Sequence, residues 1–318
     1  MSKKRALGHT GLFVTPVSAG SGTWKTFEQG RDVPVRDSLE LASALFSSSL
    51  VGCLDTSNNY GLGESERRIG LALAANGGVP EGFLLQTKAD RDMTTGDFSG
   101  ARMRQSLEES LTRLGLDSLP MVYLHDPENT TWDASMADDG PVAALVAARS
   151  EGLIGHLGIS GGPVDMLARY VETGLFEALI THNRYTLVDR TADALLTLAS
   201  SRGLGVFNAS PYGGGLLTSW PVEPGWYAYD QAPAALMASA DEIGAICAEF
   251  GVSLAAAALH WSVRDARITS TIVGMRTVSD LRATEQLLAV DIPSGLWDAI
   301  AEVPLDESTW QDASSSLP

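Results

Sequence analysis

Two cysteines in 318 residues, Cys53 and Cys247, are too few for a disulfide framework or a cysteine-rich metal site. No apolar run approaches the ~18 residues that span a bilayer, which rules out an integral membrane protein. The charged start, Met1-Ser-Lys-Lys-Arg5, leads into no apolar segment of the secretory kind. Basic residues are scarce: 22 Lys and Arg stand against 39 Asp and Glu, a net charge of −17. Such a chain is repelled by phosphate backbones, which argues against a nucleic-acid partner. His9, His156 and His260 lie far apart and form no ligand motif, so no metal is expected. A Walker A sequence, internal repeats and low-complexity tracts are missing too. What is present is an ordinary globular balance, 44% hydrophobic and 19% charged. The expectation is a cytoplasmic protein with a small-molecule partner, its oligomeric state open.

Eight short β-branched or aliphatic runs recur: Val17–Gly22, Leu50–Thr56, Phe83–Lys88, Met121–His125, Ile154–Ser160, Ala178–Asn183, Gly205–Ser210 and Thr271–Met275. Most are spaced as one strand plus one helix requires, and the last interval leaves room for an inserted loop and an extra helix. Between them, Glu64–Ala75 and Arg102–Leu114 carry apolar residues at helical spacing. Ala255–Val263 is apolar nearly all round, as a buried helix would be, and Thr277 with Asp280 reads as the cap of a helix that includes Leu281–Leu288. Eight strand–helix repeats with buried strands predict a (β/α)8 TIM barrel, an α/β fold, over a doubly wound sheet. The latter would carry G-x-G-x-x-G after its first strand, where Gly20-Ser-Gly-Thr-Trp24 lacks the third glycine. No composition break marks a linker, so residues 1–318 are read as one domain. Lys4–Val14 predicts an N-terminal β-hairpin closing the barrel bottom, an extra helix is expected after strand seven, and Asp312–Pro318 is expected to fray.

A barrel of this kind places its chemistry at the C-terminal strand ends. There Asp55, Tyr60, Lys88 and His125 arrive from three consecutive strands. A phenol titrates near pH ~10, and a neighbouring ammonium favours its ionised form. Lys88 is therefore expected to lower the Tyr60 pKa, Asp55 to hold Lys88, and His125 to orient a substrate oxygen while Tyr60 moves the proton. Taken singly, each has a plain structural explanation: a turn or cap aspartate, a loop anchor, a surface lysine, a core histidine.

Asp55-Thr-Ser-Asn-Asn-Tyr60-Gly-Leu-Gly-Glu-Ser-Glu66, Thr87-Lys88 and Leu124-His125-Asp126 together resemble the aldo-keto reductase signature over nearly the whole chain. The resemblance implies hydride transfer with NAD or NADP, and Tyr60 as the acid/base tuned by Lys88 and Asp55. His125-Asp-Pro-Glu128, Arg184-Tyr-Thr-Leu-Val-Asp189 and Ala255-Ala-Ala-Ala-Leu259 resemble the branch of D-threo-aldose (L-fucose) 1-dehydrogenases and pyridoxal 4-dehydrogenases. The expected function is an NAD(P)-dependent aldose 1-dehydrogenase. The alternatives are an NADPH-dependent pyridoxal or general aldehyde reductase and, in another class, a non-catalytic redox-sensing regulatory barrel.

For the cofactor, the loop Ser210-Pro211-Tyr212-Gly213-Gly214-Gly215-Leu-Leu217 after strand seven lets backbone N–H groups approach a pyrophosphate. Gly22, Thr23 and Trp24 after strand one, with Ser160 and Asn183, are further expected cofactor contacts. Gly274, Arg276, Asp280 and Thr284 stand where the family grips the adenosine end. The chain departs from the family's pattern in Ser160-Gly161 for Ser-Asn, in His182 for a glutamine, in Thr284 for an asparagine and in Ala209 for an aromatic. Either Trp24, Tyr212 or another ring then takes over the stacking on the nicotinamide, or the cofactor is held more loosely. Asp280 would repel a 2′-phosphate and accept from a free 2′-hydroxyl, so the reading leans to NAD, although Arg276 and Arg282 pull the other way.

Aromatic loops dominate the substrate side. Trp24, Trp132 and the stretch Trp220–Tyr229 either pack on a sugar or pyridine face or pin their loops to the barrel. Arg184 either contacts a substrate hydroxyl or carboxylate or pairs with an acid such as Asp189.

Overall fold

The computed structural model describes residues 4–24 and 33–313. A hairpin, β1 (Arg5–Ala6) against β2 (Phe13–Val14), precedes seven parallel strands. These are β3 (Val17–Gly20), β4 (Val51–Asp55), β5 (Leu84–Ala89), β6 (Leu119–His125), β7 (Ile154–Gly161), β8 (Ala178–His182) and β9 (Gly205–Ala209). A small antiparallel pair follows, β10 (Trp226–Tyr227) with β11 (Asp230–Gln231), and then β12 (Ser270–Gly274) bonds to both β9 and β3 and closes the barrel. The eight apolar runs and the eight barrel strands coincide.

The alternation of strand side chains explains the layering. On β6, Met121 and Tyr123 point into the barrel with Cys53, Leu84, Ile180, Phe207 and Ile272, while Val122 and Leu124 point out into the layer shared with the helices. The same alternation places His125 on the inward face at the strand's end. The helices are α1 (Val35–Phe46), α2 (Glu64–Asn76), α3 (Gly100–Leu114), α4 (Trp132–Met136), α5 (Pro141–Ser150), α6 (Val164–Glu172), α7 (Asp193–Ser201), α8 (Ala234–Glu249), α9 (Leu254–Val263), α10 (Val278–Leu288) and α11 (Ser294–Ala301). Thr277 and Asp280 cap α10 reciprocally, as their spacing predicts.

The long interval after β9 holds the glycine turn, the β10–β11 pair and α8, the extra helix, before α9. With α11, α8 and α9 build a second apolar cluster beside the barrel. Among the described residues, no single helix is long and apolar enough to cross a membrane; α8 and α9 would reach that length only as a pair bent by 99°. The expected fraying of the C-terminal stretch fails at its start. Asp312 accepts from the Val164 N–H at 2.9 Å and pairs with Arg184 at 2.7 Å, and residues 314–318 lie outside the described residues.

The hairpin plugs the bottom. Leu7 and Val14 are fully buried in the interior cluster, His9 N–H donates to Gly203 O at 3.1 Å, and a side chain at Gly205 would collide with Leu7. Leu7→Ala leaves a cavity far from the cleft and is expected to lower unfolding stability by about 2–5 kcal/mol in urea titrations. An unchanged midpoint would mean that the plug is not part of the cooperative core.

Candidate active site

Parallel register brings the ionisable residues together. Asp55 pairs with Gln86 across β4 and β5, and Lys88 lies two residues further along the same inward face. Lys88 Nζ donates to Asp55 Oδ2 at 2.7 Å, to Thr56 O at 2.8 Å and to the Tyr60 hydroxyl at 3.1 Å. An ammonium has three protons, so all of its donors are committed. Tyr60 accepts one of them, which leaves its own O–H free to turn to the cleft. Gln86 donates to the other Asp55 oxygen at 3.0 Å and holds that carboxylate in register.

Burial opposes the charge on Lys88, but Asp55 and Tyr60 outweigh it and its pKa ends above the ordinary lysine value. For Tyr60, burial is the larger effect, and it raises the phenol above its ordinary value despite the opposing Lys88 charge. The expected sign is thus reversed: in the site as it stands, Tyr60 is a protonated donor at neutral pH.

His125 stands across the cleft, its ring centroid 6.0 Å from that of Tyr60 at an interplanar angle of 80°. Its Nδ1 lies 2.6 Å from Asp90 Oδ1, and its Nε2 lies 3.4 Å from Asp126 Oδ1. Asp90 was not among the candidates. The signal was present, because Gln86, Lys88 and Asp90 continue one face of β5 beyond its end. Burial works against a charged ring, but Asp90 and Asp126 outweigh it and leave the His125 pKa raised. His182, at the end of β8, is pushed down to about 4 by burial and by the Arg184 charge, so it is neutral.

These groups share a cleft of about 380 Å³ at the C-terminal strand ends. Asp55, Tyr60, Lys88 and His125 all line it, as do Gly22, Thr23, Ser160, Ser210 and Gly274 of the expected cofactor set. So do Asp126, His182 and Tyr229. Tyr229, at the tip between β10 and β11, places its ring centroid 5.8 Å from that of His182. It was legible only as one ring in an aromatic loop.

Other candidates lie elsewhere. Trp24 is 1% exposed, and its indole N–H donates to Met275 O at 2.7 Å, so it is a core residue joining the ends of β3 and β12. Trp132 packs on Tyr170 at 4.9 Å and under the Arg169 guanidinium at 4.0 Å, pinning α4 to α6. The Arg184 side chain is engaged by Asp312 and donates to His182 O at 3.3 Å. Leu217 is fully buried in the second cluster, and the Thr284 hydroxyl donates back to Asp280 O within α10. Pro211 and Tyr212 are not among the residues that line the cleft, and Tyr212 packs against both apolar clusters. Of the two rings expected to stack, neither Trp24 nor Tyr212 lines the cleft, whereas Tyr229 lines it together with Tyr60. A Cβ at Gly161 would come within 2.9 Å of Glu128 Oε2, the tip of a flexible side chain.

The residues present fit a dinucleotide. Gly274 opens on free space, Gly214 and Gly215 adopt φ of 76° and 115°, and Thr23 Oγ1 and Asn183 Oδ1 are buried polar atoms without a protein partner. Arg276 is largely exposed beside Gly274. Asp280 Oδ2 accepts the N–H groups of Arg276 at 2.7 Å and Thr277 at 3.1 Å, which closes the N-terminus of α10 with a carboxylate. Among the described residues no group of three or more His, Cys, Asp or Glu is arranged to hold a metal ion.

With this geometry established, comparison with known proteins is direct. The Aldo/keto reductase family matches residues 19–304. The chain is 32% identical over 277 residues to D-threo-aldose 1-dehydrogenase from a Pseudomonas species, covering 79% of this chain and 83% of that protein. It is 31% identical to L-galactose dehydrogenase from Arabidopsis thaliana, covering 87% and 85% of the two chains. Pyridoxal 4-dehydrogenase from Microbacterium luteolum is 26% identical, covering 94% and 96%.

The Asp55–Lys88 pair yields a stability test. Lys88→Met leaves a carboxylate buried without its cation and is expected to cost about 3–5 kcal/mol in urea unfolding. Adding Asp55→Asn to that variant removes the stranded charge and is expected to restore most of the loss. A double variant as unstable as the single one would show that the pair matters for packing rather than for charge.

Proposed function

The chain belongs to the aldo/keto reductase family and is an NAD(P)-dependent oxidoreductase for aldose- or aldehyde-type substrates, and from that premise we propose that it is a sugar 1-dehydrogenase that oxidises an aldose C1 hydroxyl to the lactone. The observation that carries the reading is the polar set around the Tyr60 hydroxyl. Asp126 and His182 line the cleft beside Tyr60 and His125, as hydrogen-bonding partners for a substrate bearing adjacent hydroxyls. The relatives named as sugar dehydrogenases, at 32% and 31% identity, support the same reading.

Gly22, Thr23, Ser160, Asn183, Ser210, the Gly213–Gly215 turn, Gly274 and Arg276 would hold the dinucleotide. When bound, it supplies the hydride acceptor for oxidation and the hydride donor for the reverse reaction. Tyr60 takes the C1 hydroxyl proton in oxidation and returns it in reduction. Lys88 stabilises the phenolate that forms when Tyr60 gives up its proton, and Asp55 fixes Lys88 in the position where it does so. His125 donates to the substrate oxygen and orients it. Because burial keeps the phenol protonated, oxidation gains from a rising pH and reduction from a falling one.

The leaning to NAD rests on Asp280, whose carboxylate occupies the Arg276 and Thr277 N–H groups at the entrance to α10 and would repel a 2′-phosphate there. Asp280→Ala is expected to raise NADP use relative to NAD by about tenfold in kcat/KM, the equivalent of ~1.4 kcal/mol. An unchanged ratio would place the determinant elsewhere.

The decisive assay offers NAD and NADP against a panel of aldoses, pyridoxal and simple aldehydes, with reduced cofactor followed by absorbance. Aldose oxidation is the expected result. Preferential aldehyde or pyridoxal reduction with NADPH would replace the reading, and cofactor binding without turnover would point to a redox-sensing barrel. On the substrate found, Tyr60→Phe is expected to lower kcat by ~10²–10⁴ while dinucleotide affinity stays nearly constant. For the wild type, kcat/KM for oxidation is expected to rise from neutral to alkaline pH. A variant with near-wild-type rate would remove Tyr60 from the proton transfer.

A further inference from the structure

Asp90 follows β5 directly and is 2% exposed. Its carboxylate has an unusual set of partners. Oδ2 accepts the Ser57 hydroxyl and, at 3.1 Å, the Asn59 N–H, while Oδ1 faces His125 Nδ1 at 2.6 Å. Its main chain is fixed as well: Asp90 N–H donates to Ser106 Oγ at 3.0 Å, and Asp90 O accepts from Arg102 Nε at 3.2 Å. Arg102 reaches Asp90 only through that carbonyl, because its guanidinium forks onto Glu109 at 2.8 and 3.0 Å. Lys88 is committed to Asp55. Among the described residues, the cationic partner in hydrogen-bond reach of this buried carboxylate is therefore the His125 ring.

The placement of protons on that ring follows from the partners. A carboxylate facing Nδ1 requires a proton there. If the ring were neutral, Nε2 would then be a bare lone pair aimed at the cleft, where it would oppose both Asp126 Oδ1 at 3.4 Å and the lone pairs of a carbonyl oxygen. Only the doubly protonated ring has a donor for each side. We propose that Asp90 is a positioning residue that holds His125 as an imidazolium, with Nδ1–H on Asp90 and Nε2–H presented to the substrate oxygen.

In the reduction direction the substrate oxygen thereby meets two donors, the Tyr60 hydroxyl and a cationic N–H, as charge develops on it, and in oxidation the same N–H holds that oxygen while Tyr60 takes its proton. The groups facing the ring are consistent with this state. Asp90 and Asp126 favour the charge, Lys88 opposes it, and Tyr60 and His182 are neutral; Glu128, behind Asp126, has its own pKa raised, first by burial and then by Asp126. Ser57 is fully buried and bonds on the Nδ1 side of the ring, so the trio does not make Ser57 a nucleophile. The role assigned to Nε2–H rests on the proposed oxidoreductase chemistry of the cleft, whereas the charge state of the ring does not.

The test is read on the ring itself. Protein labelled with 15N at histidine nitrogens, without cofactor or substrate, is titrated by NMR from about pH 5 to 10, a span set around the ordinary imidazole value. His125→Asn identifies the His125 signals among those of the five histidines. Both His125 nitrogens are expected to carry protons at pH 7, and the midpoint in Asp90→Asn is expected to fall by about one unit or more. One bare His125 nitrogen at pH 7 in the wild type, or an equal midpoint in a folded Asp90→Asn, would overturn the proposal. Should Asp90→Asn fail to fold, the wild-type protonation state decides alone. On whichever substrate the panel yields, the alkaline limb of kcat/KM for reduction is expected to move down in Asp90→Asn with the NMR midpoint and to return towards wild type in Asp90→Glu. A merely structural role would lower the rate without moving that limb. A doubly protonated ring in a protein that turns over no substrate would sink the sugar-dehydrogenase reading and leave the assigned charge state intact.

Discussion

The cleft is organised by a lysine with no proton to spare. Once Lys88 has entered the barrel, its ammonium must be fully hydrogen-bonded and paired, or burial would cost several kcal/mol. Asp55 meets the charge, Thr56 O takes a second proton, and the third goes to the Tyr60 hydroxyl. The register of β4 against β5 is what allows this, since a slip of one residue would turn Lys88 out of the barrel. The position of the phenol thus answers to how a buried cation must be satisfied.

Around that centre lies a layer of braces, mostly from α2 and α3. Glu66 is fully buried, accepts the Thr87 hydroxyl at 2.6 Å and pairs with Arg113 at 3.1 Å, tying the end of β5 to both helices. Arg102 joins Glu109 to Asn58 Oδ1, and Asn58 returns a bond to Ser106 O, so the segment between Asp55 and Tyr60 is held by α3. Gly70 allows α2 to approach this layer closely, because a Cβ there would run into Arg113 O. The chain from Asp55 to Tyr60 is consequently stiff, as proton transfer over hydrogen-bond distances requires.

Much of this was legible in the sequence because barrel strands buried on both faces stand out as short aliphatic runs, and because the chemistry lies at their ends. Asp55, Lys88 and His125 were visible for that reason. What stayed hidden depends on neighbours distant in the chain. Trp24, Trp132 and Arg184 are residue types that suit a binding site, but their partners, Met275, Tyr170 with Arg169, and Asp312, turn them into structural ties. The sign of the Tyr60 shift was misjudged because an adjacent cation can be read from spacing, whereas the depth of burial that opposes it cannot. Asp90 continues the β5 alternation, yet its meaning appears only when β6 brings His125 alongside.

The rim also stores backbone strain in a regular way. Asp126, Asn183 and Ser210 each have left-handed φ, of 47°, 59° and 58°, and each directly follows the last residue of its strand, β6, β8 or β9. Left-handed conformations cost a non-glycine residue about 1–2 kcal/mol, least for Asn and Asp. A sharp turn at that point stops the strand just after its inward-facing residue. His125, His182 and Ala209 are then left lining the cleft while the chain departs towards the helices. Glycine at those positions would relieve the strain, but it would remove the Asp126 carboxylate beside His125 and the Asn183 side chain behind His182. The strain is retained because the side chains at the turn are needed as much as the turn itself, a compromise expected where binding and chemistry meet.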